Sequence, residues 1–250
     1  MDKYNGAGMK AIILAGGRGK RLNPYTKDIN KCIIPFKGKP LIEYSLDCIA
    51  VLPVDEIIIV VGYRAEDIIN NYGIHYKNKK IRYVIQQEQL GLVNAIECCQ
   101  DALEGHDFLL FLGDEIMIKP YHQSMFDYFL REDLFGVCGV VEVADRNLIS
   151  KTYSIFFGDD KRIYRLIEKP KNPLNNYMGT GNCIFKNELL SYIPITPINQ
   201  NRKEKELPDL IQCAVDDGKV IKAVIVCNQY VNVNSEDDIS IIESISSDLH

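Results

Sequence analysis

Nowhere does the sequence run through the roughly twenty consecutive apolar residues that a membrane-spanning helix needs. Its polar start, Met1 to Gly8, lacks the apolar centre of a secretory signal and reads as an extension or tag remnant, so the fold is expected to begin near Met9. None of the eight cysteines forms a Cys-x-x-Cys pair. Most lie in apolar runs such as Phe135-Gly136-Val137-Cys138-Gly139-Val140. That pattern argues for buried thiols in a reducing, cytoplasmic setting and against a zinc ribbon or a disulfide framework. There is no excess of positive charge: the formal net charge is −5, which disfavours nucleic acid as the main partner but leaves room for a local basic pocket. No repeat, low-complexity tract or Pro/Gly/Ser-rich linker divides the chain. What remains is ordinary globular composition, 46% hydrophobic and 25% charged over 250 residues, enough to bury a substantial core.

The first half alternates strand and helix patterns. Residues 10–15 form a short β-rich run that ends in a glycine loop, and 41–52 space their apolar residues as a helix does. Glu56 to Val61 is apolar on both faces, as a central parallel strand covered by helices should be. Residues 65–71 predict a short helix, 81–86 a strand, 90–104 a helix stopping at Gly105, and 107–112 another buried strand. This order predicts a parallel sheet with right-handed crossovers, whose ligands gather beyond the carboxyl ends of the strands. The loop at 16–19 and Asp114 both lie at such ends and are expected to face one pocket.

The second half is richer in strands, expected at 134–143, 152–157, 162–168 and 181–185, with a hairpin turn at Gly158-Asp159-Asp160. A helix with Pro208 in its first turn should stop at Gly218, followed by strands at 219–226 and 229–233. Ser235 and Asp238 have the spacing of a cap for a last helix, 236–247. This half is expected to extend the same sheet. Residues 9–250 then form one domain, with a nucleotide-binding half (9–115) and an acceptor-binding half (116–250).

The chemistry concentrates in a few strings. In Leu14-Ala15-Gly16-Gly17-Arg18-Gly19-Lys20-Arg21-Leu22, three glycines after a strand let backbone N–H groups approach phosphate oxygens, and Arg21 can add charged donors. A Walker A loop fails here because Leu14 and Arg21 stand where Gly and Ser/Thr are required. A dinucleotide fingerprint fails because Leu22 replaces its third glycine. A plain strand-to-loop turn fits the isolated cluster as well. Gln86 carries an amide able to match both N3–H and O4 of uracil or thymine, and Gly91 lets backbone approach the base. Asp114, a hard carboxylate at a strand end, suits Mg²⁺, although a turn-capping role fits it too. Glu168 could accept hydrogen bonds from sugar hydroxyls and Lys169 hold a phosphate; a solvated charge pair is the plain alternative.

The longer pattern joins these pieces. Residues 9–42 carry the string Met-Lys-Ala-Ile-Ile-Leu-Ala-Gly-Gly-x-Gly-x-Arg-Leu-x-Pro-x-Thr, then Asn30-Lys31 and Pro35-x-x-Gly-Lys-Pro40-Leu-Ile. They resemble the sugar nucleotidyltransferases, also called nucleoside-diphosphate-sugar pyrophosphorylases. Further matches are Gln86-x4-Gly91, Gly113-Asp114, Glu168-Lys169-Pro170 and Gly179-Thr180-Gly181, so the resemblance spans roughly 9 to 245. It implies an α/β fold, a Rossmann-like three-layer sandwich with a mostly parallel central sheet of the GT-A-like nucleotidyltransferase type. It also implies that Leu14, Ala15, Gly16, Gly17, Gly19 and Arg21 bind the triphosphate, with Gln86 and Gly91 reading a uracil or thymine. Lys31 and Lys169 would contact phosphates at the reacting centre, Glu168, Gly179 and Thr180 the acceptor, and Asp114 with Asn232 Mg²⁺.

Three positions depart from the family pattern. Lys20 stands where Thr or Ser is usual. The late Asp-Val-Gly-Thr-x-x-Asp-Leu pattern reads Asn232-Val-Asn-Ser-Glu-Asp-Asp238-Ile here, giving an uncharged metal ligand. Ser154 replaces a glycine expected in the acceptor wall, which points to an unusual acceptor. The implied partners are a nucleoside triphosphate, UTP or dTTP favoured, and a sugar 1-phosphate or related phosphomonoester, with neither membrane nor nucleic acid. Homo-oligomerisation stays open. So do a cytidylyl- or guanylyltransferase on an unusual acceptor, a non-catalytic nucleotide-binding regulator, and a metal-dependent glycosyltransferase, the last disfavoured because Ile116 breaks an Asp-x-Asp motif.

Overall fold

The computed structural model describes residues 8–22, 26–235 and 238. Strand β1 (Lys10–Leu14) leads through the glycine loop to helix α1 (Leu41–Ala50), then β2 (Glu56–Val61) and α2 (Ala65–Tyr72). A short hairpin, β3 (His75–Tyr76) with β4 (Lys79–Ile85), precedes α3 (Leu92–Glu97), α4 (Gln100–Leu103) and β5 (Phe108–Leu112). Next come β6 (Glu115–Ile118), α5 (His122–Arg131), β7 (Gly136–Glu142), β8 (Tyr153–Phe157) and β9 (Ile163–Glu168). The described elements end with β10 (Tyr177–Phe185), α6 (Leu207–Asp216), β11 (Ile221–Ile225) and β12 (Gln229–Asn232).

The main sheet has the order β9-β8-β10-β5-β1-β2-β4-β3, with β7 beside β10 and β11 beyond β7. Strands β1, β2, β4, β5, β7, β8 and β11 point the same way and β3, β9 and β10 oppose them, so the sheet is mostly parallel. The β-branched run of β2 explains its central place, since Ile57 to Val61 are all fully buried with helices on both faces. One face packs Ile13, Ile57, Ile59 and Phe111 against α1, α2 and α5; the other packs Ile12, Ile58, Val60 and Leu110 against α3, α4 and α6. A three-layer α/β/α sandwich results. A smaller cluster (Leu22, Phe36, Leu41, Ile116, Val231 and Val233) lies apart from these two layers. It joins the end of the glycine loop to the antiparallel pair β6 and β12.

Most expected elements appear within a few residues of their predicted bounds. The span 90–104 is instead two helices, α3 and α4, interrupted at Cys98 and Cys99. Strand β10 starts at Tyr177 rather than 181, because Tyr177 to Gly179 pair with β7 and β8. Strand β6 and helix α5 were not predicted. The buried face of α5, His122, Met125, Phe126 and Phe129, has helical spacing but opens on a polar residue. The proposed N-terminal extension falls outside the described residues except for Gly8. The helix at 236–247 does so except for Asp238, whose backbone N–H reaches Ser235 Oγ (3.4 Å) while Ser235 Oγ donates to its Oδ2 (2.8 Å).

Candidate active site

The glycine loop leaves the carboxyl end of β1 and is pinned by its neighbours. Ala15 N–H donates to Val60 O (2.9 Å) and Gly113 N–H to Leu14 O (3.0 Å), which hold the ends of β1, β2 and β5 together. Buried Asn30 donates Nδ2 to Ala15 O (3.2 Å) and Tyr63 O (2.7 Å) while its Oδ1 accepts from Cys32 N–H (2.9 Å). Gly16 is closely packed, since a Cβ there would stand 3.1 Å from Gln86 Oε1 and 3.4 Å from Gly62 N. Gly19, at φ +63°, turns back over the Lys31 side chain. Lys20 and Arg21 are exposed, and Arg18 stacks on Tyr63, 5.1 Å from its ring centroid.

Leu14, Ala15, Gly16, Gly17, Gln86 and Gly91 line a cavity of about 380 Å³ together with Lys31 and Asp114. Gly19 lies behind this wall rather than on it. Lys31 is 7% exposed, and its ammonium ion pairs with Asp114 and reaches Asn234 Oδ1 (3.2 Å). Beside them, burial and the Asp114 carboxylate push the Cys32 thiol up to about 12, so it stays protonated.

A second cavity of about 240 Å³ adjoins the first, sharing Leu92, Leu112, Arg202 and Glu204 with it. It gathers Arg21, Glu168, Lys169, Gly179, Thr180 and Asn232. Strand β10 explains its position: its register shifts between Gly179 and Cys183, between the stretch paired with β8 and the stretch paired with β5. Within this bulge, Gly181 N–H donates to Glu115 Oε1 (2.9 Å) and Thr180 Oγ1 to Gly139 O (3.0 Å). A Cβ on Gly179 would stand 2.1 Å from the Tyr153 ring, whose hydroxyl donates to Thr180 O (2.7 Å). The Gly-Thr-Gly segment is thus fixed from below.

Two expectations need correction. Ser154 is fully buried and its Oγ donates to Asn175 Oδ1 (2.9 Å), so it does not form the acceptor wall. Side chains alternate along β8, and Ser154 lies opposite Tyr153, which does line the cavity. Gln86, in turn, does not present a complete amide. Its Nε2 donates to Gly91 O (3.1 Å) and Asn94 Oδ1 (2.9 Å), leaving the acceptor end.

Several residues of the cleft carry no mark in the sequence. Arg202, on the turn between the short strands Ile198–Asn199 and Glu204–Lys205, donates to Glu168 Oε1 (3.0 Å) and ion pairs with Glu206 (3.1 Å). Burial raises the Glu168 carboxyl against the pull of Lys169 and Arg202, and burial with Glu168 nearby pushes Glu206 up to about 7. Lys151 lines the same cavity and ion pairs with Asp238 (3.1 Å). Glu115 is 3% exposed and pushed up to about 8 by burial, although Tyr230, Gly181 and Asn182 donate to it. Its only sequence signal is a charge heading the apolar run Ile116-Met117-Ile118.

Known proteins resemble this chain over nearly its whole length. The sequence model of the family described as nucleotidyl transferase matches residues 10–230. The chain belongs to the nucleotidyl transferase family. A UTP–glucose-1-phosphate uridylyltransferase of Haloferax volcanii is 30% identical over 232 residues, 92% of this chain and 93% of that protein. A glucose-1-phosphate thymidylyltransferase of Streptomyces griseus is 27% identical over 233 residues, again 92% of this chain but 64% of the longer protein. A crystal structure of UDP-glucose pyrophosphorylase with UDP-glucose superposes with a TM-score of 0.85 at 21% identity, covering 96% of this chain and 98% of that one. At that identity the likeness concerns the fold, and it extends to both halves of this nucleotidyl transferase.

Among the described residues, no three His, Cys, Asp or Glu side chains cluster as a metal-binding set. Asp114 and Asn232 stand at neighbouring strand ends, where Val233 N–H donates to Asp114 O (2.9 Å) and Asn232 pairs with Glu115 across β6 and β12. One carboxylate and one amide oxygen fit Mg²⁺, which binds through few protein oxygens and completes its shell with water and phosphate.

Proposed function

We propose that the enzyme transfers a uridylyl or thymidylyl group from UTP or dTTP to a sugar 1-phosphate or a related phosphomonoester. The products are a nucleoside-diphosphate sugar and pyrophosphate. The observation that carries this reading is the pair of adjoining cavities sharing Arg202, with Lys31, Asp114 and Asn234 where they meet. One offers a glycine loop and a base-sized amide site; the other offers Glu168, Lys169 and the Gly179-Thr180 wall. Residues 9–115 then supply the nucleotide half and 116–250 the acceptor half.

In the proposed reaction, an acceptor phosphate oxygen attacks the α-phosphorus in line. A new P–O bond forms as the bond to the β-phosphate oxygen breaks and pyrophosphate leaves with its electron pair. The acceptor phosphate is already anionic at neutral pH, so no side chain has to remove a proton. The loop N–H groups and Arg21 hold the departing phosphates, Lys31 and Lys169 neutralise charge around the α-phosphate, and Glu168 accepts from sugar hydroxyls. Asp114 and Asn232 would hold Mg²⁺, which when bound supplies further neutralisation of phosphate charge. We also assign the enzyme to the cytoplasm, a setting that would keep its eight free thiols reduced.

Pyrophosphate release tests this directly, with Mg²⁺, each of UTP, dTTP, CTP, GTP and ATP, and a panel of sugar 1-phosphates and small phosphomonoesters. A signal with UTP or dTTP and one acceptor is expected. Asp114→Ala should lower turnover by about 10²-fold or more with an unchanged circular dichroism spectrum. Full activity in that variant would remove Asp114 from the metal site, and a chain that binds no triphosphate would sink the reading.

A further inference from the structure

Tyr230, Asn232 and Asn234 alternate with Val231 and Val233 along β12 and the two residues after it. The valines enter the core, and the three polar side chains line the acceptor cavity. These three form a chain of hydrogen bonds whose two ends are both fixed. At one end Lys31 Nζ, which can only donate, meets the Asn234 amide at 3.2 Å, so the Asn234 atom there is Oδ1. Asn234 Nδ2 is thereby turned to Asn232, and the Asn232 atom that accepts from it at 2.5 Å is Oδ1. At the other end Glu115 Oε1 accepts from Gly181 N–H (2.9 Å) and from the Tyr230 hydroxyl (2.5 Å). The only proton of Tyr230 is used there, so in its hydrogen bond with Asn232 it accepts, and the donor is Nδ2. Both ends require the same orientation. Turning either amide, or both together, would set donor against donor at Asn232 or at Lys31.

A carboxylate offers a cation an oxygen whichever way it turns. An amide offers oxygen one way and an NH₂ group the other, and NH₂ donates rather than coordinates. With Asp114 nearby, an unsupported Asn232 gains by turning Nδ2 to that carboxylate, the orientation that excludes a metal. From this network we propose that Asn234 is a positioning residue of the metal site, which holds the Asn232 oxygen on the side of Lys31 and Asp114. Oδ1 has a second lone pair, so the bond from Asn234 leaves it able to ligate. The two asparagines also depart together from the family string, which reads Asp and Gly where this chain has Asn232 and Asn234. The ligand with an ambiguous end thus comes with the side chain that removes the ambiguity. This inference rests on the nucleotidyltransferase reading and adds to it the residue that sets the uncharged ligand.

The test is a double-mutant cycle on metal affinity: wild type, Asn234→Ala, Asn232→Asp and the double variant. Mn²⁺, which like Mg²⁺ takes oxygen ligands, is titrated by electron paramagnetic resonance with UTP bound and no acceptor present. Asn234→Ala should weaken Mn²⁺ binding about tenfold or more where position 232 is Asn. In the Asn232→Asp background the same change should cost no more than about twofold, since a carboxylate has no wrong end. Equal losses in both backgrounds would make Asn234 a direct ligand or a support of the loop, and would overturn the inference. So would an unchanged affinity in Asn234→Ala. UTP binding without metal provides the second readout. It should stay within about twofold in Asn234→Ala, and a loss as large as that of Mn²⁺ would show an action through Lys31 instead. A wild type that binds no UTP would sink the reaction and the inference together. A wild type that binds Mn²⁺ and UTP, with a cycle that shows no coupling, would sink the inference alone.

Discussion

In the proposed reading, the groups facing the ligand on the nucleotide side of the cleft are mainly backbone N–H groups and neutral amides, held at the ends of parallel strands by Asn30, Gly62 and Asn94, with the Lys31–Asp114 ion pair at its edge. On the acceptor side they are charged side chains, Lys169, Arg202, Glu168 and Glu206, standing on antiparallel pairs and a short hairpin. A neutral, pre-set amide can read a base without a desolvated charge, because the end turned away from the cavity, Gln86 Nε2, already has its internal partners. A charged wall must balance its own charges until the ligand arrives. That is what the Glu168–Arg202–Glu206 and Glu168–Lys169 contacts do.

Arg202→Ala tests this contrast most severely. It removes charge-assisted contacts at the acceptor wall and should raise the acceptor KM about 10–100-fold, with a smaller change for UTP. Equal effects on both substrates in initial-rate kinetics would erase the distinction between the two walls. Next comes Gly179→Ala, whose Cβ would meet the Tyr153 ring at 2.1 Å and displace the bond from Tyr153 to Thr180 O. Urea unfolding should show a loss of about 1–3 kcal/mol, accompanied by weaker acceptor binding but unchanged UTP binding.

Glu206→Gln should act more gently, and with a pH signature. The folded carboxyl keeps its proton up to about 7, whereas the ordinary value is 4.5, so ionising Glu206 costs stability increasingly as pH rises between those values. The cost then persists above pH 7. The variant should be more stable than the wild type at pH 8 and nearly equal at pH 5. An effect of about 1 kcal/mol would move the thermal midpoint by about 2–4 °C. Ser154→Gly should do least to catalysis: loss of the Asn175 contact costs about 1 kcal/mol, while the acceptor KM stays within about twofold. A large KM change there would return Ser154 to the acceptor wall.

How much of this was legible in the sequence differs between the same two regions. Apolar runs such as Glu56–Val61 and the glycines after β1 declare a buried parallel sheet with a ligand loop, since burial on both faces and φ freedom are properties of residue type. Strand β6 and helix α5 escaped. The first is four residues headed by Glu115, and the second puts His122 into the core, where burial lowers its pKa to about 4 and Asn182 satisfies its Nε2 at 2.8 Å. Ser154 was misplaced for a similar reason, because strand register, not motif position, decides which side chains face a cavity.

The sequence by itself determined the family and the order of strands and helices in the first half, and it singled out Arg21, Lys31, Gln86, Asp114 and Lys169, which the structure places on the walls of the two cavities, because each sits in a short string next to a glycine loop or a strand end. Only the tertiary structure decided that Arg202 and Glu206 meet Glu168, that Glu115 holds the β10 bulge, and that Gln86 turns its oxygen to the cavity. Those contacts join residues that are far apart in the chain or depend on which end of an amide finds a partner. Local pattern carries no record of either.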